Sequence, residues 1–226
     1  MQRIPVKPEL TPSAVLFDLD GTLIDTAPDF VRVLNRMRTA YGLDELPVPY
    51  IRCMVSNGAR GMVRVGFGLE PDDHGYQQKH TEFLDLYEQG MTIDTCLFEG
   101  MDSLLRNLEQ RAIPWGIVTN KPVRFAAPVV AALGLAERCG TLICPDHVSQ
   151  RKPHPEPMFL ACKEVNVEPQ TAIYVGDHKR DIDAGINAGM TTIAVRYGYL
   201  EKPEEADLWG SHYTVDSVSE LAKLLQ

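Results

Sequence analysis

The sequence has no apolar run that approaches the roughly 20 residues of a membrane-spanning helix. Its start, MQRIPVKPELTP, also lacks an apolar stretch of signal-peptide length, so we expect a cytoplasmic protein without a membrane partner. The chain has fewer basic than acidic residues, with 22 Lys and Arg against 31 Asp and Glu, which gives a net charge of −9. Nucleic acid attracts basic surfaces and is therefore not an expected partner. A small anionic substrate remains compatible, since a pocket can differ in sign from the whole chain.

Cysteine is scarce as well, with five residues in 226 and no CxxC pair. An odd, scattered set predicts neither a disulfide framework nor a zinc site, and is typical of idle thiols in a reducing compartment. Repeats and low-complexity tracts are absent too. The length suits one large domain or a core domain with a smaller insert.

What the sequence does contain is a series of short, uninterrupted apolar segments that end in polar residues. Such segments are typical of strands covered on both faces. They are VLFDLD (15–20), PWGIVTN (114–120), TLICPD (141–146), AIYVGD (172–177) and TTIAVRYG (191–198). Helical patterns lie between them at 101–111, 124–135 and 155–166. This alternation predicts a doubly wound, parallel α/β sheet of the Rossmann-like kind.

One region, 26–95, interrupts the alternation and shows helical patterns without a convincing strand. We predict an all-helical cap domain there, inserted into an α/β core made of 1–25 and 96–226, with hinges near 23–25 and 92–98. The first 12 residues are expected to form a loose arm. The apolar positions that predict the three helices are Phe30, Leu34, Met37 and Tyr41, the residues after Asn57, and Phe83, Leu86 and Tyr87.

Polar side chains gather where the predicted strands end, which is where open parallel sheets bind ligands. They are Asp18, Asp20, Thr119, Asn120, Asp177 and, four residues further, Asp181, with Lys152 in the loop QRKPHPEP. Oxygen-only acidic clusters suit a hard cation such as Mg²⁺. A lysine and a hydroxyl facing that cation indicate a phosphoryl group between them.

Each of these features also has a simpler interpretation. Asp18 and Asp20 before Gly21 are compatible with a turn after a strand, and a lysine such as Lys152 is usually solvated. Thr119 and Asn120 could cap the next helix. A turn does not explain why a second strand also ends in a carboxylate, so the catalytic interpretation is favoured.

Four motifs, DLDGT, VTNK, RKP and GDHKRD in that order, resemble those of the haloacid dehalogenase-like hydrolase superfamily. Within it the chain is similar to the phosphoglycolate phosphatase group. The stretches VTNKPVRFA, LGLAER and LICPDHV resemble the N-acetylmuramic acid 6-phosphate phosphatases of peptidoglycan recycling. The resemblance implies a Mg²⁺-dependent phosphatase for a small anionic phosphomonoester. The first expected substrate is N-acetylmuramic acid 6-phosphate, and the alternative is 2-phosphoglycolate.

The resemblance also implies a role for each motif residue. Asp18 would be the nucleophile that forms an aspartyl-phosphate, and Asp20 would be the general acid and then the general base. Thr119 and Lys152 would hold the phosphate oxygens.

The metal site follows from the same resemblance. Mg²⁺ would be bound by Asp18, the backbone carbonyl of Asp20 and Asp177, while Asp181 would orient Lys152 or metal-bound water. His178 departs from many relatives, which carry Asp or Ser at that position, and this bears on the surroundings of the metal.

Substrate recognition is expected from Asn120 and from the cap segment SNGARGMV (56–63), through Ser56, Asn57, Gly58 and Arg60. Arg60 could bind a carboxylate by paired hydrogen bonds. The competing interpretation is a helix N-cap followed by an arginine on a polar face.

Other functions were weighed against the same residues. A dehalogenase or phosphonate hydrolase lacks a second acid such as Asp20. A sugar phosphomutase keeps both aspartates, and the following Gly-Thr-Leu favours a phosphatase over it. A non-catalytic phosphate sensor would have lost at least one of the motif residues. Nothing in the sequence indicates an oligomeric state.

Overall fold

The computed structural model describes residues 10–226. Most of the predicted N-terminal arm lies outside these residues.

The core of the protein is a six-stranded parallel sheet. The strands of the described residues are β1 (Ala14–Phe17), β2 (Ile24–Asp25), β3 (Cys96–Leu97), β4 (Trp115–Val118), β5 (Leu142–Ile143), β6 (Ala172–Gly176), β7 (Thr191–Val195) and β8 (Tyr213–Val215). The sheet order is β5-β4-β1-β6-β7-β8, and every neighbouring pair is parallel. The predicted doubly wound α/β fold is confirmed.

The central strand, β1, explains why the apolar segments are uninterrupted. All four of its residues are buried, because helices cover both faces of the sheet. Phe17 pairs with Ile117 of β4 and with Val175 of β6. This register brings the carboxyl ends of the three central strands to one edge.

Helices alternate with strands as the sequence patterns predict. The helices of the described residues are α1 (Ala27–Ala40), α2 (Val48–Arg52), α3 (Gly58–Phe67), α4 (Tyr76–Glu88), α5 (Met101–Gln110), α6 (Val123–Ala132), α7 (Glu156–Glu164), α8 (Lys179–Asn187) and α9 (Val218–Leu224). In α5, for example, Met101, Leu104, Leu105 and Leu108 form one buried face. Strand β8 and helix α9 were not predicted, because three and seven residues are too few for a clear period.

Helices α1 to α4 form what we call the helical insert (27–88). The three predicted helices are present, and a short fourth, α2, was not predicted. Phe30, Leu34 and Met37 of α1 are buried. Tyr41, the last apolar position of that predicted helix, follows the end of α1 and is 43% exposed. That 26–95 is a separate domain remains a prediction.

The segments that lead into and out of the insert lie side by side. Strand β2, just before α1, pairs antiparallel with β3, just before α5. Asp29 reinforces this junction, because its buried carboxylate accepts hydrogen bonds from the backbone N–H groups of Asp94 and Thr95 and from the Thr95 hydroxyl.

The cysteines, all within the described residues, are free thiols. No helix of residues 10–226 combines the length and apolar character that crossing a membrane requires.

Candidate active site

Asp18 and Asp177 stand at the ends of neighbouring strands, β1 and β6. The N–H of Asp18 still donates to the carbonyl of Val175, at 2.9 Å, so the sheet ladder holds the backbone up to the carboxylate. Both aspartates are buried, with 4% and 2% of their surface exposed. The parallel register therefore presents two unsolvated carboxylates at one edge of the sheet.

Lys152 places a positive charge between the carboxylates. Its Nζ lies 2.9 Å from Oδ1 of Asp18 and 2.7 Å from Oδ1 of Asp181, and its side chain is fully buried. The carbonyl of Val118 and the hydroxyl of Tyr174 accept its other hydrogen bonds. A lysine with this many partners is fixed in one position. Asp181 thus contacts Lys152, and its role in orienting Lys152 or metal-bound water stays a prediction.

Burial and mutual repulsion make the carboxylates at this edge hard to ionise together. Burial and repulsion from Asp18 and Asp181 raise the pKa of Asp177 to about 8. Burial and Asp181 also raise the pKa of Asp18, although Lys152 opposes the shift. Oδ1 of Asp177 is buried and has no hydrogen-bond partner within the described residues.

These carboxylates fit a divalent cation. One oxygen from each of Asp18, Asp177 and Asp181 lies within 4.8 Å of the others. A set made only of carboxylate oxygens suits Mg²⁺. The unpartnered oxygen of Asp177 supplies an acceptor that a cation would satisfy.

Two glycines shape the space around Asp177. Gly21 has a φ of +84°, and a Cβ there would lie 2.1 Å from Oδ2 of Asp177. A Cβ on Gly198 would lie 2.3 Å from the Cβ of Asp177. Any residue larger than glycine at these two positions would clash with the Asp177 side chain. The N–H of Tyr199 donates a hydrogen bond to Oδ2 of Asp177 at 2.9 Å.

His178, the departure from the family pattern, caps helix α8. Its Nδ1 accepts from the N–H of Arg180 at 3.2 Å, while its own N–H donates to Oδ2 of Asp181 at 3.1 Å. This reciprocal pair is a capping box. Burial and the Arg180 charge lower the pKa of His178 to about 4, which keeps the ring neutral and able to accept.

Asp20 is placed by a turn and not by the strand. Strand β1 ends at Phe17, and the carbonyl of Leu19 accepts from the N–H groups of Leu23 and Ile24. The predicted strand at 15–20 is therefore shorter at its carboxyl end than expected, and the turn that follows contains Gly21 with a left-handed φ of +84°. Asp20 still reaches the same pocket as Asp18.

Thr119 and Asn120 follow β4 beside Asp18. Thr119 is buried, and its hydroxyl oxygen accepts from the N–H of Lys121 at 3.0 Å. The side-chain amide of Asn120 donates to the carbonyl of Lys152 at 3.0 Å. Asn120 thus braces the loop that carries Lys152, in addition to lining the pocket.

The insert closes over this edge and encloses a pocket of about 660 Å³. All four predicted residues of the insert, Ser56, Asn57, Gly58 and Arg60, line it. Ser56 donates to Oδ2 of Asp177 at 3.4 Å. The Arg60 side chain is 66% exposed and lies 3.6 Å from the carboxylate of Glu70.

Several residues of the site were not found by sequence reasoning. Tyr174 holds Lys152, Tyr199 holds Asp177, and Arg180 donates to the carbonyl of Ser56 at 2.6 Å. Lys121 pairs with Asp20, and Tyr87 in turn accepts from Lys121. Among them, only Lys121 could have been suggested as a site residue by the sequence, because it directly follows Thr119 and Asn120. The tyrosines look like ordinary core residues in the sequence.

Comparisons with known proteins identify the family of this chain. The family model for haloacid dehalogenase-like hydrolases matches residues 15–195. A curated relative from Pseudomonas putida, named N-acetylmuramic acid 6-phosphate phosphatase, is 47% identical over 94% of this chain and 95% of its own. A relative from Xanthomonas campestris, named phosphoglycolate phosphatase, is 39% identical over 93% and 95%.

The fold has solved counterparts too. The crystal structure of a predicted phosphoglycolate phosphatase from Haemophilus somnus has a TM-score of 0.82, covers 95% of this chain and 98% of its own, and is 22% identical. At that identity the likeness concerns the fold alone. The family match spans both the strand ends and the insert, and the chain belongs to the haloacid dehalogenase-like hydrolases.

Proposed function

We propose that this phosphatase hydrolyses N-acetylmuramic acid 6-phosphate with the help of Mg²⁺. The observation that carries the proposal is the joint enclosure of the pocket by the acidic edge and the helical insert. Asp18 and Lys152 of the edge line it together with Phe30, Phe83 and Tyr87 of the insert. A phosphate bound at the edge would leave room in this pocket for a sugar-sized body.

The chemistry begins with the residues of the edge. Asp18 would attack phosphorus, so that a bond forms from its carboxylate oxygen as the ester bond breaks. Asp20 would donate a proton to the leaving sugar oxygen and later remove one from the attacking water. Lys152 and Thr119 would bind the remaining phosphate oxygens.

The residues that would hold Mg²⁺ are Asp18, Asp177 and the backbone carbonyl of Asp20, with Asp181 beside them. When bound, a divalent cation neutralises carboxylate and phosphate charge and so lets two anions approach each other. We propose the helical segment 26–95 as a cap that keeps water from the aspartyl-phosphate.

Two features support N-acetylmuramic acid 6-phosphate over the smaller 2-phosphoglycolate. Pockets of roughly 300–1,000 Å³ hold ligands of drug size, and the 660 Å³ here lies in that range. 2-Phosphoglycolate has two carbons and would fill a small part of this volume, whereas a sugar with acetyl and lactyl groups would fill more of it. The relative from Pseudomonas putida bears the name of that activity.

2-Phosphoglycolate is the second candidate, because the Xanthomonas campestris relative bears that name. Both substrates carry a carboxylate, for which we propose Arg60, with Ser56, Asn57, Gly58 and Asn120 completing the pocket around the substrate.

The test compares kcat/KM for the two esters, with Mg²⁺ and with EDTA. We expect N-acetylmuramic acid 6-phosphate to be preferred by at least ~100-fold, because contacts along a sugar raise kcat/KM. A preference for 2-phosphoglycolate would contradict the substrate assignment. Equal turnover in EDTA would contradict the role of the metal.

A further inference from the structure

Lys121 connects the acid-base residue to the insert. Its Nζ lies 2.9 Å from Oδ1 of Asp20 and 2.9 Å from the hydroxyl oxygen of Tyr87, and only 7% of its side chain is exposed. Asp20 belongs to the turn after β1, while Tyr87 belongs to α4 of the insert. A single buried ammonium group therefore joins two parts of the chain that meet at the pocket.

The Tyr87 hydroxyl has a fixed position. Its ring lies 4.4 Å from the ring of Phe30 and 5.9 Å from that of Phe125, measured between centroids, and the residue is 2% exposed. The Lys121 ammonium also lies 5.4 Å from the centroid of Phe30 and 4.9 Å from that of Tyr87. These contacts hold the ammonium group in place on the insert side.

The second contact to Asp20 comes from the entry to the insert. The Thr26 hydroxyl donates to Oδ1 of Asp20 at 2.7 Å. Thr26 and Lys121 therefore bind the same oxygen, and Oδ2 receives no hydrogen bond from residues 10–226. Two bonds to Oδ1 fix the rotation of the carboxyl group and leave Oδ2 for a reacting oxygen.

We propose that Tyr87 is a positioning residue for Asp20 and acts through Lys121. This assignment rests on the proposed function, in which Asp18 bonds to phosphorus while a proton passes from Asp20 to the leaving oxygen. Correct placement of Oδ2 matters most when that oxygen belongs to an alkyl group, because an alkoxide cannot leave without the proton. It matters little for p-nitrophenolate, which is stable as an anion.

The choice of ester therefore separates positioning from a purely structural role. Tyr87→Phe keeps the ring packing and removes the oxygen that binds Lys121. We expect kcat/KM to fall ~10-fold for whichever of N-acetylmuramic acid 6-phosphate and 2-phosphoglycolate is the better substrate. For p-nitrophenyl phosphate we expect a fall of less than ~2-fold. Tyr41→Phe is the control, because the Tyr41 hydroxyl donates to Glu82 and the residue lies outside the pocket.

A double-mutant cycle shows whether Tyr87 works through Lys121. In a Lys121→Met background, Tyr87→Phe is expected to cause no further loss. If Tyr87 contacted the substrate directly, its loss would persist in that background, and the assignment would be wrong.

The remaining outcomes are equally decisive. Equal losses for alkyl and aryl esters would overturn the positioning role, and melting temperatures of all variants show whether such losses reflect unfolding. A wild-type protein inactive toward every ester would overturn the proposed function and this assignment together.

Discussion

The strand-end edge and the 56–60 segment face one pocket, yet their physical surroundings are opposite. At the edge, Asp18, Lys152 and Asp177 are buried and joined by ion pairs and main-chain hydrogen bonds. In the insert, Arg60 is 66% exposed and faces another exposed charge, Glu70. The edge lies on the rigid sheet, whereas the segment lies at the start of a helix.

The difference separates two tasks. Bond-making demands side chains fixed to within about half an ångström, and buried strand ends provide such positions. Recognition of the rest of a substrate tolerates adaptable, hydrated side chains. Changes at the edge should therefore abolish turnover, and changes in the segment should shift substrate preference.

The largest effect is expected from Asp18→Asn. Loss of the carboxylate proposed as the nucleophile should lower kcat by at least ~1,000-fold and abolish acid-quenched trapping of labelled phosphate on the protein. The melting temperature should not fall, because an amide relieves repulsion with Asp181. Asp183→Asn, a more exposed aspartate on α8, is the control and should keep its activity. Near-normal turnover of Asp18→Asn would show that another residue attacks phosphorus.

Lys152→Met should damage both stability and activity. It leaves Asp18 and Asp181 buried without their shared counter-charge, which costs about 3 kcal/mol in the free energy of unfolding. Urea denaturation in EDTA measures this cost. Lys179→Met removes an exposed ion pair with Asp183 and should cost less than about 0.5 kcal/mol. Similar costs for the two variants would contradict the contrast between buried and exposed charge.

Binding of Mg²⁺ should stabilise the protein more at high pH. The pKa of Asp177 lies near 8 in the folded protein without metal, against an ordinary 3.8. The unfolded chain therefore releases this proton first, and the metal-free protein loses stability as the pH rises from about 4 to about 8.

A bound divalent cation removes that loss. The rise in melting temperature caused by Mg²⁺ should be larger at pH 8 than at pH 5.5, by about 3 °C. Scanning calorimetry at both pH values measures the difference. An equal rise at both would mean that Asp177 is not where the cation acts.

The smallest effect is expected in the insert. Arg60→Ala should raise KM for N-acetylmuramic acid 6-phosphate ~4-fold, since an exposed charge contributes little, and leave p-nitrophenyl phosphate unaffected. Arg106→Ala, equally exposed on α5, is the control. A loss of kcat for both esters would place Arg60 in the chemistry and remove the contrast between the two regions.

Sequence reasoning succeeded where local pattern and topology act together. Uninterrupted apolar segments predicted the strands, and parallel topology then implied that Asp18 and Asp177 would meet although more than 150 residues separate them. It failed at the end of the first strand, because β1 stops at Phe17 and a turn places Asp20.

Sequence reasoning also could not predict the contacts that ordinary core residues make. Tyr174 and Tyr199 act through single atoms, a hydroxyl and an N–H, whose direction depends on packing in three dimensions. Residue type carries no sign of such a role. The same holds for Tyr87, whose contact with Lys121 exists only because α4 packs over the edge.

The charges at the edge also bear on the order in which the metal and the ester bind. In their ionised forms, four carboxylates and three cationic groups gather at the edge itself and give it a net charge of −1, apart from Arg60, Arg64 and Arg151, which also line the pocket: Asp18, Asp20, Asp177 and Asp181 against Lys121, Lys152 and Arg180. A divalent cation reverses that sign to +1. At the edge, the doubly negative phosphate group of an ester is repelled before this reversal and attracted after it. Initial rates at varied Mg²⁺ and ester should therefore follow an ordered pattern in which the metal binds first and the ester second.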